Sequence, residues 1–386
     1  MMSSSSDRAT RVSFERLLAA TPQLDGCAAL GSFVALPGKT LLHAGPPFQK
    51  GEAVPAPVLN SAAAAAQFEG WATDVTEAQR AITSGEVRLA PAQDYAVVTP
   101  LAFVVSPSMP ALRVSDAAGK ASPRYAPVND GPPPAALRFG ARHEGQFERL
   151  ALLSRIGPAL AQALAQKAPG AIPILPILSA GLVGGDDLHG RVSAANASLV
   201  DVLAPRLSGE AADYLSSANQ FVLNVIMAAC AVMIGAGEGV VGSRLVTAAG
   251  GNGISFGWQL AGAPGVWQTA AATAPRGHHF PQSAGRPFLP AIGDSAVIDA
   301  CGFGAAALRH APDMIAVLRG RVPNAYFETT ASAAFIGPHP AFAPDLRLGL
   351  DIDAEGPERG IMLAAIDAEG ETGLVGRGIA PWPTIR

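Results

Sequence analysis

Phe221-Val-Leu-Asn-Val-Ile-Met-Ala-Ala-Cys-Ala-Val-Met-Ile-Gly-Ala-Gly237 runs straight into Glu238-Gly-Val-Val-Gly242. The first part carries no charge, and Asn224 is its only polar side chain. It falls short of the roughly 20 residues a bilayer span needs, and its alanines and glycines suit close packing. A buried core helix is expected, and no membrane association. The second part completes G-x-G-x-x-G through Gly237, Gly239 and Gly242. A dinucleotide fold needs that motif after a strand, with an acid about 20 residues on. Here it follows a helix-like run, and no Asp or Glu occurs between Glu238 and Asp294. The glycines read instead as a helix end and a turn leading into a sheet.

Outward from this stretch the apolar period divides the chain. Upstream, Phe147, Leu150, Leu153, Ile156, Leu160 and Leu164 recur at helical spacing, as do Leu199, Val202 and Leu203. The Pro/Ile/Leu run at 171–180 interrupts them. Downstream the period becomes two: Ile254, Phe256, Trp258, Leu260, and again Leu346, Leu348, Leu350, Ile352. A turn at 354–360 leading into Ile361–Ile366 predicts a hairpin. Near the start, 13–36 reads as a helix and then a strand. Asp74 and Glu77 have capping-box spacing for a helix that Gly85 stops. Val97–Val105 reads as a buried strand and Gly131–Pro134 as a loop. The fold class is α+β: an N-terminal α/β domain (1–140), a helical segment (141–235) and a C-terminal α/β domain with hairpins (236–386).

Composition narrows the function. Apolar residues are 49% of the 386 and charged ones 15%, enough to build a core and exclude disorder. The net charge of -4 gives no reason to expect nucleic acid or an anionic membrane as partner. Cys27, Cys230 and Cys301 are widely spaced and form no CxxC pair, so a reduced, cytoplasmic protein without a zinc ribbon is expected. Ser3–Ser6 look like a disordered lead-in, with no signal-peptide core behind them. The acid-free stretch holds Arg244, Arg276, His278, His279 and Arg286, a composition that favours anions. His278-His279 reads as a loop, and Asp294 is placed to pair with Arg276 or Arg286.

Several blocks, in order, resemble the YlbE/YahG-like family: Leu42-His-Ala-Gly-Pro-Pro47, Phe68-Glu-Gly-Trp-Ala72, Ser106-Pro-Ser-Met-Pro110, Gly185-Asp-Asp-Leu-His189, Ser217-Ala-Asn-Gln-Phe221, Asn252-Gly-Ile-Ser-Phe-Gly257 and Ile292-Gly-Asp-Ser-Ala296. Where the family carries a histidine-bearing block, this chain reads Ala92-Gln-Asp-Tyr-Ala-Val-Val-Thr-Pro-Leu101. The family's Met-Ala-Arg-Asn-Gly appears as Ala248-Ala-Gly-Gly-Asn-Gly253, without its arginine. A glycine-rich echo, Gly373-Leu-Val-Gly-Arg-Gly378, remains near the end. The resemblance implies a subunit of a carbamoyltransferase that interconverts oxamate plus carbamoyl phosphate with oxalurate plus phosphate, in allantoin degradation. It also implies an oligomer and a hetero-complex with a succinyl-CoA-synthetase-like subunit. A non-catalytic accessory subunit, or a hydrolase or binding protein on the same fold, are the alternatives.

Such a transfer needs donors for phosphate, a cation or amide for the carboxylate, polarisation of the carbonyl and a general base. It needs no cofactor or metal. The catalytic candidates are His43, the Asp187/His189 pair with Asp187 orienting the ring, and Asp294. The candidates for binding a small anionic metabolite are Gly45, Glu69, Ser108, Asn219, Arg244, Asn252, Gly253 and Ser295. Asp186 reads as a helix cap, and Asn224 as bound to backbone.

Overall fold

A computed structural model describes residues 5–166, 170–328, 333–354 and 359–383. The chain opens with α1 (Ser5–Ala19), β1 (Pro22–Ala29) and the short α2 (Leu30–Phe33). Next come β2 (Thr40–His43), α3 (Ala56–Phe68), α4 (Val75–Ser84), β3 (Arg88–Pro91), β4 (Pro110–Asp116) and β5 (Arg124–Pro127). The middle holds α5 (Gln146–Leu164), β6 (Ile172–Pro173), α6 (Leu175–Val183), α7 (Ser193–Leu203), α8 (Gly209–Ser217) and α9 (Phe221–Gly235). Then follow β7 (Val246–Asn252), β8 (Ser255–Leu260), β9 (Ala263–Ala271), β10 (Arg276–His279), β11 (Ile292–Gly293), α10 (Ala296–Cys301) and α11 (Pro312–Leu318). The last strands are β12 (Phe335–Pro338), β13 (Arg347–Leu350), β14 (Gly360–Ile366) and β15 (Leu374–Pro381).

Among the described residues three main sheets result, in the orders β5-β4-β1-β6, β11-β7-β8-β9 and β10-β15-β14. Two small pairs, β2-β3 and β12-β13, accompany them. This is the expected α+β class. The core is organised by α9, which packs against β4 and β5 of the first sheet and against β7 and α10 behind it. Every α9 side chain from Phe221 to Ile234 is buried except Leu223. The uncharged run is therefore a core helix, and truncating one of its larger side chains to Ala costs about 2–5 kcal/mol. Among the described residues no single helix is long and apolar enough to cross a membrane; α8 and α9 meet that test only jointly, across an 82° bend. After α9 the chain turns through Gly239 and Gly242, both at φ 82°, and enters β7. The glycine motif is the turn that its context suggested.

Local signals are followed at α4. Asp74 accepts from the Glu77 N–H at 2.8 Å, and Gly85 ends the helix at φ 82°. Glu77 closes the box on Thr73 rather than Asp74.

Five readings change. Ser5 and Ser6 belong to α1, while Ser3 and Ser4 lie outside the described residues. Val97–Val105 is buried but makes only isolated bridges, Val97 to Tyr125 and Val105 to Leu42. A proline at 100 and a left-handed Leu101 (φ 46°) break it. The stretch 171–180 is not merely an interruption, since it contains β6 and the start of α6; β6 pairs with β1. β13 pairs back with β12, and β14 with β15, so the hairpin expected across 354–360 does not form. Residues 355–358 of that turn lie outside the described residues. His278 and His279 are in β10, paired with β15, not in a loop.

Candidate functional site

The sequence candidates separate into two places. The first is a closed joint around Asp294, which sits between β11 and α10. Its Oδ1 accepts from Gly45 N at 2.9 Å and from Gln93 Nε2 at 2.6 Å. Its Oδ2 accepts from Thr99 N at 3.0 Å. Burial pushes the carboxyl up to about 7, and the three donors pull it back. Among the described residues no arginine bonds it, so the expected partnership with Arg276 or Arg286 is replaced by backbone and amide donors. Gly45 lies at φ 76°, and a Cβ there would stand 2.3 Å from the carbonyl carbon of Gly251. Asn252 donates to Pro46 O at 3.0 Å and accepts from Ile254 N and Ser255 N. With Gly253 at φ 88° it makes the β7–β8 turn. His43 donates from Nδ1 to Ala44 O at 2.8 Å and packs against Phe48, the rings tilted by 34°. Its Nε2 is buried with no partner among the described residues, and burial lowers its pKa to about 4.

Three further candidates hold the scaffold. Glu69 accepts from Ser106 Oγ and from Ser108 N and Oγ at 2.6–2.9 Å, so Glu69 and Ser108 bind each other. Arg244 bonds Asp351 at 2.8 Å and Asp7 at 3.0 Å, tying α1 to the C-terminal part. Arg286 is held by Glu369 and Glu371 at 2.7 and 2.8 Å. The anion-favouring reading of the acid-free stretch therefore fails for these two arginines: carboxylates distant in sequence neutralise them.

The second place is a cleft lined by residues from Pro100 to Arg377. It has a narrow inner lobe of about 60 Å³ and a wider outer lobe of about 320 Å³. Both are walled by Arg138, Phe139, Gly190, Gln220, Leu374 and Arg377. His189 and Ser295 face the inner lobe, with Pro100 and Leu101 from the broken apolar segment. Asn219, exposed between α8 and α9, faces the outer lobe. His189 Nδ1 donates to Asp299 Oδ2 at 2.8 Å. Asp299 is fixed in turn by the N–H groups of Ala305 and Met362 at 2.9 and 3.1 Å. The ring's Nε2 has no hydrogen-bond partner among the described residues, and it belongs to a side chain lining the cleft.

Asp187 does not orient that ring. Its Oδ1 accepts the backbone N–H groups of His189 and Gly190 at 2.8 and 2.6 Å; burial pushes its carboxyl up to about 6. It shapes the turn that presents His189. Asp186 is not the N-cap of α7, which is Val192; it accepts from Ala195 N in the first turn of that helix at 2.8 Å and from Arg191 at 2.5 Å. Asn224 donates to Pro127 O at 2.8 Å, a backbone partner.

The charged groups of the cleft differ in freedom. Arg138 is buried and paired with Asp130, and stacks over Phe139 at 4.2 Å. Arg377, on β15, lies 5.9 Å from the Phe280 ring centroid and 3.6 Å from Met314 Sδ. It has no carboxylate partner among the described residues. An arginine so placed can receive a carboxylate through two parallel N–H bonds.

The family model described as "Oxamate carbamoyltransferase subunit AllG" matches residues 87–295, more than half of the chain. The oxamate carbamoyltransferase subunit AllG of Escherichia coli (strain K12) is 34% identical, over 71% of this chain and 67% of its own length. The chain belongs to the AllG family. A second relative from the same organism, the uncharacterized protein YahG, is 30% identical over 82% of this chain and 68% of its own. A crystal structure of a conserved protein of unknown function from Enterococcus faecalis V583 superposes with a TM-score of 0.90 at 25% identity, covering 98% of this chain and 94% of that one.

The stretch matched by the AllG model reaches Ser295, so Asp299 and Arg377 lie beyond it. Sequence reasoning missed both. Asp299 had a signal: a lone acid in Ala296-Val-Ile-Asp-Ala-Cys301, where a buried charge must find a partner. Arg377 stood inside the glycine-rich echo Gly373–Gly378, and its strand partner β10 carries no acid. Arg138 had no local signal, because Asp130 reaches it across a proline loop.

Proposed function

We propose that this AllG-family chain is a subunit of an oxamate carbamoyltransferase and that its cleft binds the small carboxylate substrate. The observation that carries the reading is Arg377, a cleft-facing arginine without a carboxylate partner among the described residues, lining the same lobe as the Asp299-bound His189. Arg377 takes the oxamate carboxylate. His189 Nε2 takes the proton from the oxamate nitrogen as that nitrogen bonds to the carbamoyl carbon. The carbon–oxygen bond to phosphate then breaks, and its electron pair leaves on phosphate. Asp299 fixes the Nδ1–H tautomer and so leaves the Nε2 lone pair free for the cleft. Ser295 and Gln220 line the same lobe and offer neutral donors to the carbonyl. Asp294, Gly45 and Asn252 act at a distance, by fixing the loop at 99–101 that walls the inner lobe. The complex is hetero-oligomeric and cytoplasmic, and it serves allantoin breakdown as the resemblance implies. Three buried free cysteines support a reducing compartment.

The test is turnover of oxamate with carbamoyl phosphate by the chain assembled with its co-encoded partners. His189→Gln is expected to lower kcat by about 10²–10⁴ with little change in oxamate KM. Arg377→Ala is expected to raise oxamate KM at least about tenfold, the loss of one charge-assisted bidentate contact. Unchanged kinetics in both variants would leave the chain with an accessory role.

A further inference from the structure

Transfer between oxamate and carbamoyl phosphate brings together a carboxylate and a phosphate that carries about two negative charges near neutral pH. Arg377 receives the first, and the outer lobe is furnished for the second. Three guanidinium groups line that lobe, those of Arg138, Arg191 and Arg377, and no carboxylate does among the described residues. Arg191 lines the outer lobe and not the inner one. Its Nη1 donates to Asp186 at 2.5 Å and to Gly184 O at 3.1 Å, and its Nε stands 3.4 Å from Asp313. Asp186 is buried, and neither acid lines the lobe. The two carboxylates hold the guanidinium still, while Nη2 has no hydrogen bond among the described residues. Ser193, at the start of α7, and Asn219, before α9, add an exposed hydroxyl and an exposed amide whose side chains are likewise unbonded among the described residues. Arg138 is matched by Asp130 and Arg191 by Asp186, so Arg377 supplies the net charge and the others supply fixed donors. Sites that hold transferring phosphoryl groups converge cations and N–H donors on them in this way. At about 320 Å³ the lobe is of a size for a small ligand.

We infer that the outer lobe is a phosphate subsite of this chain, in which Arg191, Ser193 and Asn219 hold the phosphate of carbamoyl phosphate. Arg377, which lines both lobes, stands between that phosphate and the oxamate carboxylate. Naming carbamoyl phosphate as the occupant rests on the functional reading above and deepens it; the affinity of the lobe for phosphate rests on its own lining. The carbamoyl carbon is then directed toward the inner lobe, where the oxamate nitrogen faces His189. As that nitrogen bonds to the carbon, the carbon–oxygen bond to phosphate breaks, and its electron pair stays on the phosphate oxygen, in the lobe that Arg191 lines. The proton taken by His189 passes finally to the phosphate. Oxalurate and hydrogen phosphate leave, with the total charge unchanged.

The experiment is calorimetric titration of the full chain with inorganic phosphate, without and with saturating oxamate, at fixed ionic strength. Two variants alter residues that line the outer lobe only. Arg191→Ala removes a donor. Ser193→Asp puts a carboxylate among the arginines, and an acid in the first turn of α7 favours the helix, so lost binding there is not lost fold. Phosphate is expected to bind in both titrations, and at least about tenfold more weakly in either variant, while oxamate affinity stays as in wild type. In the assembled complex, Ser193→Asp is expected to raise the KM of carbamoyl phosphate at least about tenfold and to leave that of oxamate unchanged. Phosphate displaced by oxamate, or bound equally well in both variants, would overturn the separate subsite and leave the oxamate site at Arg377 standing. Weakened phosphate binding with an unchanged KM of carbamoyl phosphate would overturn the naming of the occupant. Phosphate bound as expected, with no oxamate binding at all, would support the phosphate lobe and remove the functional reading.

Discussion

The Asp294 joint and the Arg377 cleft are built from similar residue types and do opposite things. In the joint both carboxylate oxygens are used, by Gly45, Gln93 and Thr99, and the glycines touch backbone. In the cleft the charged groups keep unused capacity: Arg377 has no carboxylate partner among the described residues, and His189 has one ring nitrogen engaged. A glycine-rich, polar block marks a place where backbones meet; a place where a ligand fits is marked by bonding capacity left over that faces open space, unlike the buried His43 Nε2 of the joint. Residues of the first kind are expected to control folding, and residues of the second kind binding and rate.

The comparison breaks most visibly at Gly45. Gly45→Ala puts a Cβ 2.3 Å from a backbone carbon at a φ of 76°. A loss of about 3 kcal/mol or more in unfolding free energy is expected, read by urea denaturation. A variant of normal stability would show that the joint is not tight.

Asp294→Asn sharpens the contrast through pH. The folded protein holds Asp294 up to about 7, against an ordinary value of 3.8. The folded state thus keeps a proton that the unfolded chain releases. The resulting stabilisation is complete below about pH 3.8 and is lost as pH rises through about 7. Asp187, raised to about 6, acts in the same direction. His43, lowered to about 4, acts oppositely: its contribution is present above 6.5 and lost as pH falls through 4. Both remain in the variant and cancel. The stability of wild type relative to Asp294→Asn should therefore fall steadily between about pH 4 and 7. A flat difference would contradict the buried carboxyl's role.

The smallest effect is expected at Arg244. Its pairs with Asp351 and Asp7 are partly exposed, so Arg244→Ala should cost about 1 kcal/mol or less. Oxamate affinity should be unchanged, and a lost affinity would move the anion site out of the cleft.

These contrasts also explain what the sequence reveals. The cap at Asp74, the stop at Gly85 and the uncharged run of α9 are local, and each is legible because neighbouring residues alone decide it. Val97–Val105 misleads because apolarity reports burial and not backbone path; Pro100 and the left-handed Leu101 turn the run into loop. The pairing of β12 with β13 and β14 with β15 depends on which strands meet in space, which a period of two does not specify. In the site, His189 and Ser295 are legible within family blocks, whereas Asp299 and Arg377 are separated from His189 by more than a hundred residues. Arg244 misleads for the converse reason: its acid partners are 107 and 237 positions away.

The most direct measurement is a crystal structure of the chain with oxamate bound. The account predicts the oxamate carboxylate within hydrogen-bond distance of Arg377, with its nitrogen toward His189 Nε2 and the Asp294 joint unaltered. Oxamate lodged against His43, Asn252 and Asp294, with Arg377 empty, would contradict it.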